Sequence, residues 1–250
     1  MRNGNTSYAW AKILSVLRRK NCIINIVAGT DILKEIIDIF YILAAYLAGS
    51  FPTSAIIARI KGISDLTKEG SGNLGATNVS RVIGKKFGLI TLIIDAAKGF
   101  LPVFFAPILI NSQYKYADFN FHRSIQCTGC LIFYSLVIIA PVIGHCYSAF
   151  IKFKGGKGVA TALGVFLAVS PKAVLIAFLV FAVILSASKY VSLASIVSAF
   201  FMPFIVFYTL KNIYIFAASM LIAILVIYKH SPNIKRLING TENAIKKKRR

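Results

Sequence analysis

Acidic residues are scarce in this chain. Eight Asp and Glu stand against 29 Lys and Arg, a formal charge of +21, so chemistry that needs a spare carboxylate as base has few candidates. Histidine is scarcer still. The residues five positions after His122, His145 and His230 are Cys127, Phe150 and Lys235, so the His and Asp base dyad used by many acyltransferases is absent. No G-x-S-x-G elbow occurs, which removes support for a nucleophilic serine. The four cysteines, Cys22, Cys127, Cys130 and Cys146, lie scattered in or beside apolar segments and form no disulfide framework. Cys127 and Cys130 make a lone C-x-x-C, which without a second pair or nearby histidines builds no zinc site. No metal and no cofactor is expected.

Apolar residues dominate. The chain is 57% hydrophobic and only 15% charged, with a mean hydropathy of +0.74, so it reads as an all-α integral membrane protein. Windows of about 20 residues, the length that spans hydrocarbon, select residues 39–58, 87–110, 131–151, 190–210 and 213–228. Residues 159–187 are too long for one span and are interrupted by 170-SPK-172. Proline disfavours helix at the residue before it, so this stretch divides into a short helix, 159–169, and a full one, 173–187. About seven transmembrane helices are predicted, one of them short or broken.

Basic residues in the connections give the orientation. Residues 61–86 carry five Lys and Arg, residues 152–157 carry three, and the tail from Lys229 carries eight, ending in 246-KKKRR-250. The opposite face has Lys115, Arg123, Lys172 and Lys211. This bias puts the two glycine-bearing loops and the C-terminus in the cytoplasm, and it makes anionic lipid headgroups, not nucleic acid, the partner of the charge. Seven crossings then put the N-terminus outside, yet residues 1–35 hold six Lys and Arg that resist translocation. Residues 1–31 therefore read as a basic extension ahead of one transmembrane domain, 32–250. The extension resembles no signal peptide, and no internal repeat is visible.

Two polar stretches stand out against the apolar background. In 70-GSGNLGATNVSR-81, Ser71, Asn73, Thr77 and Asn78 supply hydrogen-bonding groups, Gly75 and its fellow glycines free the backbone, and the planar fork of Arg81 suits a phosphate dianion. An anion cradle and an ordinary polar loop capping a helix near Phe87 both fit. In 153-FKGGKGVAT-161 the nucleotide signature G-x-x-x-x-G-K-[ST] fails, because Ile151 stands five before Gly156 and Gly158 follows Lys157. The loop reads instead as a turn through Gly155, Gly156 and Gly158 that feeds a helix N-terminus at Val159, where free N–H groups favour an anion beside Lys157. A tight cytoplasmic turn is the plainer alternative.

Asp95 and Lys98 lie three apart within the second span, where an ion pair lessens the cost of burying either charge. His145 ends the third span, and His230 and Asn233 follow the last one as hydrogen-bonding groups at the membrane surface. A transporter would place polar residues near the midplane and show repeats. A structural lipid-binding protein would explain the basic tail but not the two glycine loops.

Together these stretches resemble the acyl-phosphate-dependent glycerol-3-phosphate acyltransferases of bacterial phospholipid synthesis. The resemblance runs from about residue 32 to 242, through 49-GSFPTSAIIAR-59, 70-GSGNLGATNVSR-81, 95-DAAKGFLPV-103, 144-GHCYSAFIKFKGGKGVAT-161, 191-VSLASI-196 and 230-HSPNIKRLINGTE-242. It implies a seven-helix enzyme of the inner membrane with its active site at the cytoplasmic face. Such an enzyme moves an acyl chain from acyl phosphate to the 1-hydroxyl of sn-glycerol 3-phosphate, releasing phosphate and lysophosphatidic acid. The implied partners are acyl phosphate, glycerol 3-phosphate, the bilayer and the enzyme that forms acyl phosphate.

Carried over by position, the resemblance makes Ser71, Arg81, Lys157, His230 and Asn233 catalytic. It gives Asn73, Gly75, Thr77, Asn78, Gly155, Gly156, Gly158 and Thr161 to substrate binding. Ser195, or else Ser192, matches a pocket serine, and Glu242 matches an acidic position read as structural. Ser231 and Pro232 replace a more charged pair beside His230, and Pro232 removes an N–H there. An acyl phosphate is already activated, so the protein chiefly positions reactants and stabilises negative charge. Arg81 and Lys157 are expected to clamp phosphates while His230, Asn233 and Ser71 orient the donor carbonyl and the acceptor. With no unpaired carboxylate at hand, a substrate phosphate oxygen is the expected proton acceptor.

Overall fold

The computed structural model describes residues 30–114 and 128–245, with side chains described within 32–110 and 128–245. His122, Cys127, Lys115, Arg123, the tail 246–250 and almost all of the extension lie outside these residues. The chain divides into two units, Met1–Phe40 and Tyr41–Arg250. The described part of the first is the opening of helix α1 (Thr30–Ser50), whose Ile32, Leu33, Ile36 and Phe40 are exposed.

The second unit holds the rest of α1 and every later helix. The span expected at 39–58 is not a single helix. It breaks at Phe51 and Pro52, between α1 and α2 (Thr53–Ile60), because a proline disfavours helix at the residue before it. Other segments satisfy the carbonyls freed at the break: the Ser148 hydroxyl donates to Ser50 O at 2.5 Å, and Lys98 Nζ donates to Phe51 O at 2.9 Å. Lys98 also pairs with Asp95 at 2.9 Å. The expected intramembrane pair therefore exists, and it secures the broken entry helix.

Half of the stretch 70–81 is helical, α3 (Ala76–Val82) starting from Gly75. Then come α4 (Lys85–Tyr114), α5 (Thr128–Cys146), α6 (Val159–Val169), α7 (Pro171–Ser188), α8 (Val191–Leu210), α9 (Ile213–Lys229) and α10 (Ser231–Ile238). The short helix 159–169 has the boundaries expected of it. The proline stop also acts as expected, since Ser170 caps α7 by accepting from Ala173 N at 3.2 Å with Pro171 in the first turn. At the start of α9, Asn212 Oδ1 accepts from Tyr214 N and Ile215 N.

Among the described residues, four helices are long and apolar enough to cross a membrane: Lys85–Ile110, Thr128–Ile151, Pro171–Ser188 and Val191–Leu210. A fifth is counted if α9 and α10, bent by 54° at His230, form one span. Length and composition thus do not reach the seven crossings expected. The first half of α1 carries Asp31, Lys34, Glu35 and Asp38, and α6 has only 11 residues.

The core centres on α5. Tyr134, Val137, Ile138 and Val142 are buried among residues of α4, α6 and α9. By contrast, α7 turns Leu175, Phe178, Leu179 and Val183 outward, as a helix does when its neighbour is lipid. Packing of α4 on α6, α7 on α8 and α8 on α9 brings the ends of α6, α8 and α9 together, and the polar residues collect there.

Candidate active site

Gly158, at φ 81 in the left-handed region, turns the chain from the glycine loop into α6. Lys157 stands just before it, half-buried, and donates from Nζ to Asn233 Oδ1 at 2.5 Å. Asn233 is buried in the first turn of α10. Its Nδ2 donates to Glu242 Oε1 at 2.8 Å, and the Ser192 hydroxyl donates to the same oxygen at 3.0 Å. Arg236 Nε donates to Glu242 Oε2 at 2.8 Å. The amide orientation of Asn233 follows from this surrounding, with its oxygen toward an ammonium and its nitrogen toward a carboxylate.

The network sets the protonation of its members. Burial pushes Lys157 down to about 8, Glu242 opposes that, and the charges of Arg236 and Arg81 reinforce it. Partial burial raises the Glu242 carboxyl, but hydrogen bonds from Arg236, Asn233 and Ser192 outweigh it and hold the group below the ordinary carboxylate range. Arg81 is exposed at the end of α3 and reaches Asn243 O through Nη2 at 3.2 Å. Three cations, Lys157, Arg81 and Arg236, therefore share one small region with a single carboxylate among them. The surplus of positive charge suits an anion.

His230 is buried at the bend between α9 and α10. Its Nδ1 lies 2.7 Å from Val226 O; a carbonyl only accepts, so Nδ1 carries the proton and Nε2 holds the lone pair of the neutral ring. Lys229, not anticipated from sequence, fastens the same corner by donating to Cys146 O at 2.7 Å and lying 3.7 Å over the Tyr147 ring.

Gly156 joins the two polar stretches. A Cβ there would stand 2.2 Å from His145 Nε2 and 2.5 Å from Leu74 O, so only glycine allows the loop to lie against both. Its N–H donates to His145 O at 3.1 Å. Ser71 and Asn78 meet within the first stretch: Asn78 Oδ1 accepts from Ser71 N at 2.8 Å and from Ser71 Oγ at 3.2 Å. Asn78 Nδ2 donates to Glu69 O and Leu66 O. Asn78 is fully buried and holds the loop in shape, while Thr77 is exposed and Asn73 lies beside Gly75. No hydrogen bond joins Ser71 to Lys157. Thr161 is fully buried, its carbonyl facing Gly99 of α4 and its hydroxyl without a hydrogen-bond partner among the described residues.

The two serines of 191-VSLASI-196 divide. Ser192 joins the Glu242 network, whereas Ser195 donates to Val191 O at 2.9 Å and lines an apolar cavity of about 270 Å³. That cavity lies between α6, α7, α8 and α9, with Val159, Phe166, Met202, Ile222 and Val226 in its wall. The sequence reading missed Arg236. Its signal was its place three residues after Asn233, on the same helix face.

Among the described residues the structure is all-helical, with a cation cluster at the helix ends beside an apolar cavity and helices apolar enough to cross a membrane, the architecture of an integral membrane protein. Comparison with known proteins is more particular. The profile of the family described as glycerol-3-phosphate acyltransferase matches residues 39–240. A glycerol-3-phosphate acyltransferase of Syntrophotalea carbinolica is 48% identical over 209 residues, covering 83% of this chain and 98% of that protein. One from Aquifex aeolicus is 42% identical, covering 82% and 97%. The crystal structure of PlsY (YgiH), an integral membrane glycerol 3-phosphate acyltransferase, in its glycerol 3-phosphate form superposes with a TM-score of 0.72 at 38% identity, covering 84% of this chain and 96% of that one. This chain belongs to the glycerol-3-phosphate acyltransferase family.

Proposed function

We propose that this protein transfers an acyl chain from acyl phosphate to the 1-hydroxyl of sn-glycerol 3-phosphate, giving lysophosphatidic acid and phosphate. One observation carries the reading: the cation cluster and the apolar cavity share their walls. Just ahead of α6, Lys157 precedes Gly158, while Val159, the first residue of the helix, lines the cavity. On α8, Ser192 bonds Glu242 while Ser195, three residues on, lines the cavity. On α9, Val226 lines the cavity and accepts from His230. A substrate with a long apolar chain and a phosphate end fits such a pair of compartments, and a small dianionic acceptor fits the cation side.

In this reading the acceptor oxygen attacks the carbonyl carbon of the donor. The new C–O ester bond forms as the bond to the phosphate oxygen breaks, and a phosphate oxygen takes the hydroxyl proton. Lys157 and Arg81 clamp phosphates, while His230, Asn233 and Ser71 orient the donor carbonyl and the acceptor. Asn73, Gly75, Thr77, Asn78, Gly155, Gly156, Gly158, Thr161 and Ser195 form the surrounding pocket. Residues 32–250 act as the acyltransferase domain, in the inner membrane of a bacterium, with the site and C-terminus cytoplasmic and the donor supplied by an acyl-phosphate-forming enzyme.

Purified protein given acyl phosphate and labelled glycerol 3-phosphate tests the proposal. Lysophosphatidate and free phosphate are expected in equal amounts. Formation of neither, or product formed from acyl-CoA but not from acyl phosphate, overturns it.

A further inference from the structure

The turn between α5 and the glycine loop takes no part in the chemistry above. Helix α5, Thr128–Cys146, has 19 residues, about 28 Å as helix, a near match to about 30 Å of hydrocarbon. Its end therefore reaches headgroup level. There the chain makes a short turn, Ala149–Ile151, capped by Ser148, whose hydroxyl accepts from Phe150 N at 3.3 Å. Phe153 N donates back to Ser148 O at 2.8 Å. Ile151 points inward onto Ala58, Leu66, Leu74 and Val79. Phe150 and Phe153 point outward, 59% and 64% exposed.

Lys152 and Phe153 both adopt the left-handed conformation, φ 53 and 57, which residues other than glycine seldom take. The turn thus holds two aromatic rings in the open by an uncommon backbone, with exposed Lys152 between them. Lys154 follows, also exposed. Aromatic rings alternating with ammonium groups at the end of a span match the chemistry of an anionic bilayer interface, where rings enter the upper acyl region and lysines meet phosphates.

We propose that the 149–154 turn is an interfacial anchor, inserting Phe150 and Phe153 into an anionic lipid surface with Lys152 on lipid phosphate, and so setting the height of the glycine loop. Gly155 follows Phe153 by two residues, so a donor arriving within the bilayer meets the loop at headgroup level. The depth of the turn does not depend on the acyl-transfer reading; its effect on donor capture rests on it.

The chain's one tryptophan, Trp10, is replaced by Phe, and Phe153→Trp is placed in the full-length protein in nanodiscs containing phosphatidylglycerol. Lipids brominated near the carbonyl end are expected to quench its fluorescence about twofold more than lipids brominated near the chain end, with protection from acrylamide. Phe150→Trp reads the same depth independently. Quenching by acrylamide and not by lipid overturns the anchor, as does lipid protection that requires an added acyl-phosphate-forming enzyme. In the same discs Phe150→Ser with Phe153→Ser is expected to raise KM for acyl phosphate about fivefold, with recovery in the double Leu variant; an unchanged KM overturns the height-setting role. A wild type that transfers no acyl group overturns the acyl-transfer reading and leaves the depth result standing.

Discussion

Lys157 and Asn233, 76 positions apart in the chain, meet at 2.5 Å, and Asn233 passes the contact on to Glu242 at 2.8 Å. The ammonium is thereby aimed by a neutral amide whose far side is fixed by a carboxylate. Glu242 ion-pairs Arg236 and reaches Lys157 only through Asn233, so the charge of Lys157 stays available to a phosphate.

Asn233→Ala should lower acyl transfer by about 100-fold, the usual loss when one preorganised polar contact at a reacting centre is removed. Combined with Lys157→Ala, the loss should fall well short of the product of the single losses, because both residues act as one unit. A full kcat/KM cycle on purified variants measures this. Multiplicative losses would show the two acting separately.

Since Lys157 is pushed down to about 8, kcat/KM for glycerol 3-phosphate should fall as pH rises through about 8, and Lys157→Arg should remove that limb. Stability moves the opposite way. The folded value lies below the ordinary 10.5, so burying the charged lysine costs stability below about 8, and that cost is relieved as pH rises from 8 to 10.5. Thermal unfolding of wild type compared with Lys157→Met across this window should show the wild type gaining. A pH-independent difference between them would refute the assignment.

Gly156→Ala should raise KM for glycerol 3-phosphate about tenfold, since the added Cβ would meet His145 Nε2 at 2.2 Å and Leu74 O at 2.5 Å and so push apart the two polar loops. Steady-state kinetics with both substrates varied tests it. Unchanged kinetics would mean that the loop shifts freely.

Ser192→Ala and Ser195→Leu should separate. The first loosens Glu242 and should weaken use of glycerol 3-phosphate. The second fills part of the cavity and should shift the preferred donor toward shorter chains. A panel of acyl phosphates of graded length distinguishes them, and identical profiles for the two variants would contradict the division seen between Ser192 and the cavity.

Much of the helical layout was legible because hydrophobic run length and proline placement are local properties. The helix 159–169 and the restart after Ser170 follow directly from them. The break at Pro52 was hidden inside an apolar window, and its cost is lowered by Ser148 and Lys98, which lie far along the chain. In the site, the glycine loop announced itself by composition. The links of Asn233 and Ser192 to Glu242, and the presence of Arg236, were not visible, because hydrogen bonds between residues many positions apart leave no periodicity.

By itself, the sequence determined that this is a membrane protein, where its polar loops lie and which residue types could hold a phosphate, since all three depend on composition and local spacing. Tertiary structure alone decided that Lys157, Asn233, Ser192 and Glu242 form one network and that Ser195 faces the cavity. Those contacts exist only where packing brings the ends of α6, α8 and α9 to one place, and that convergence is a property of helices in contact and not of any segment alone.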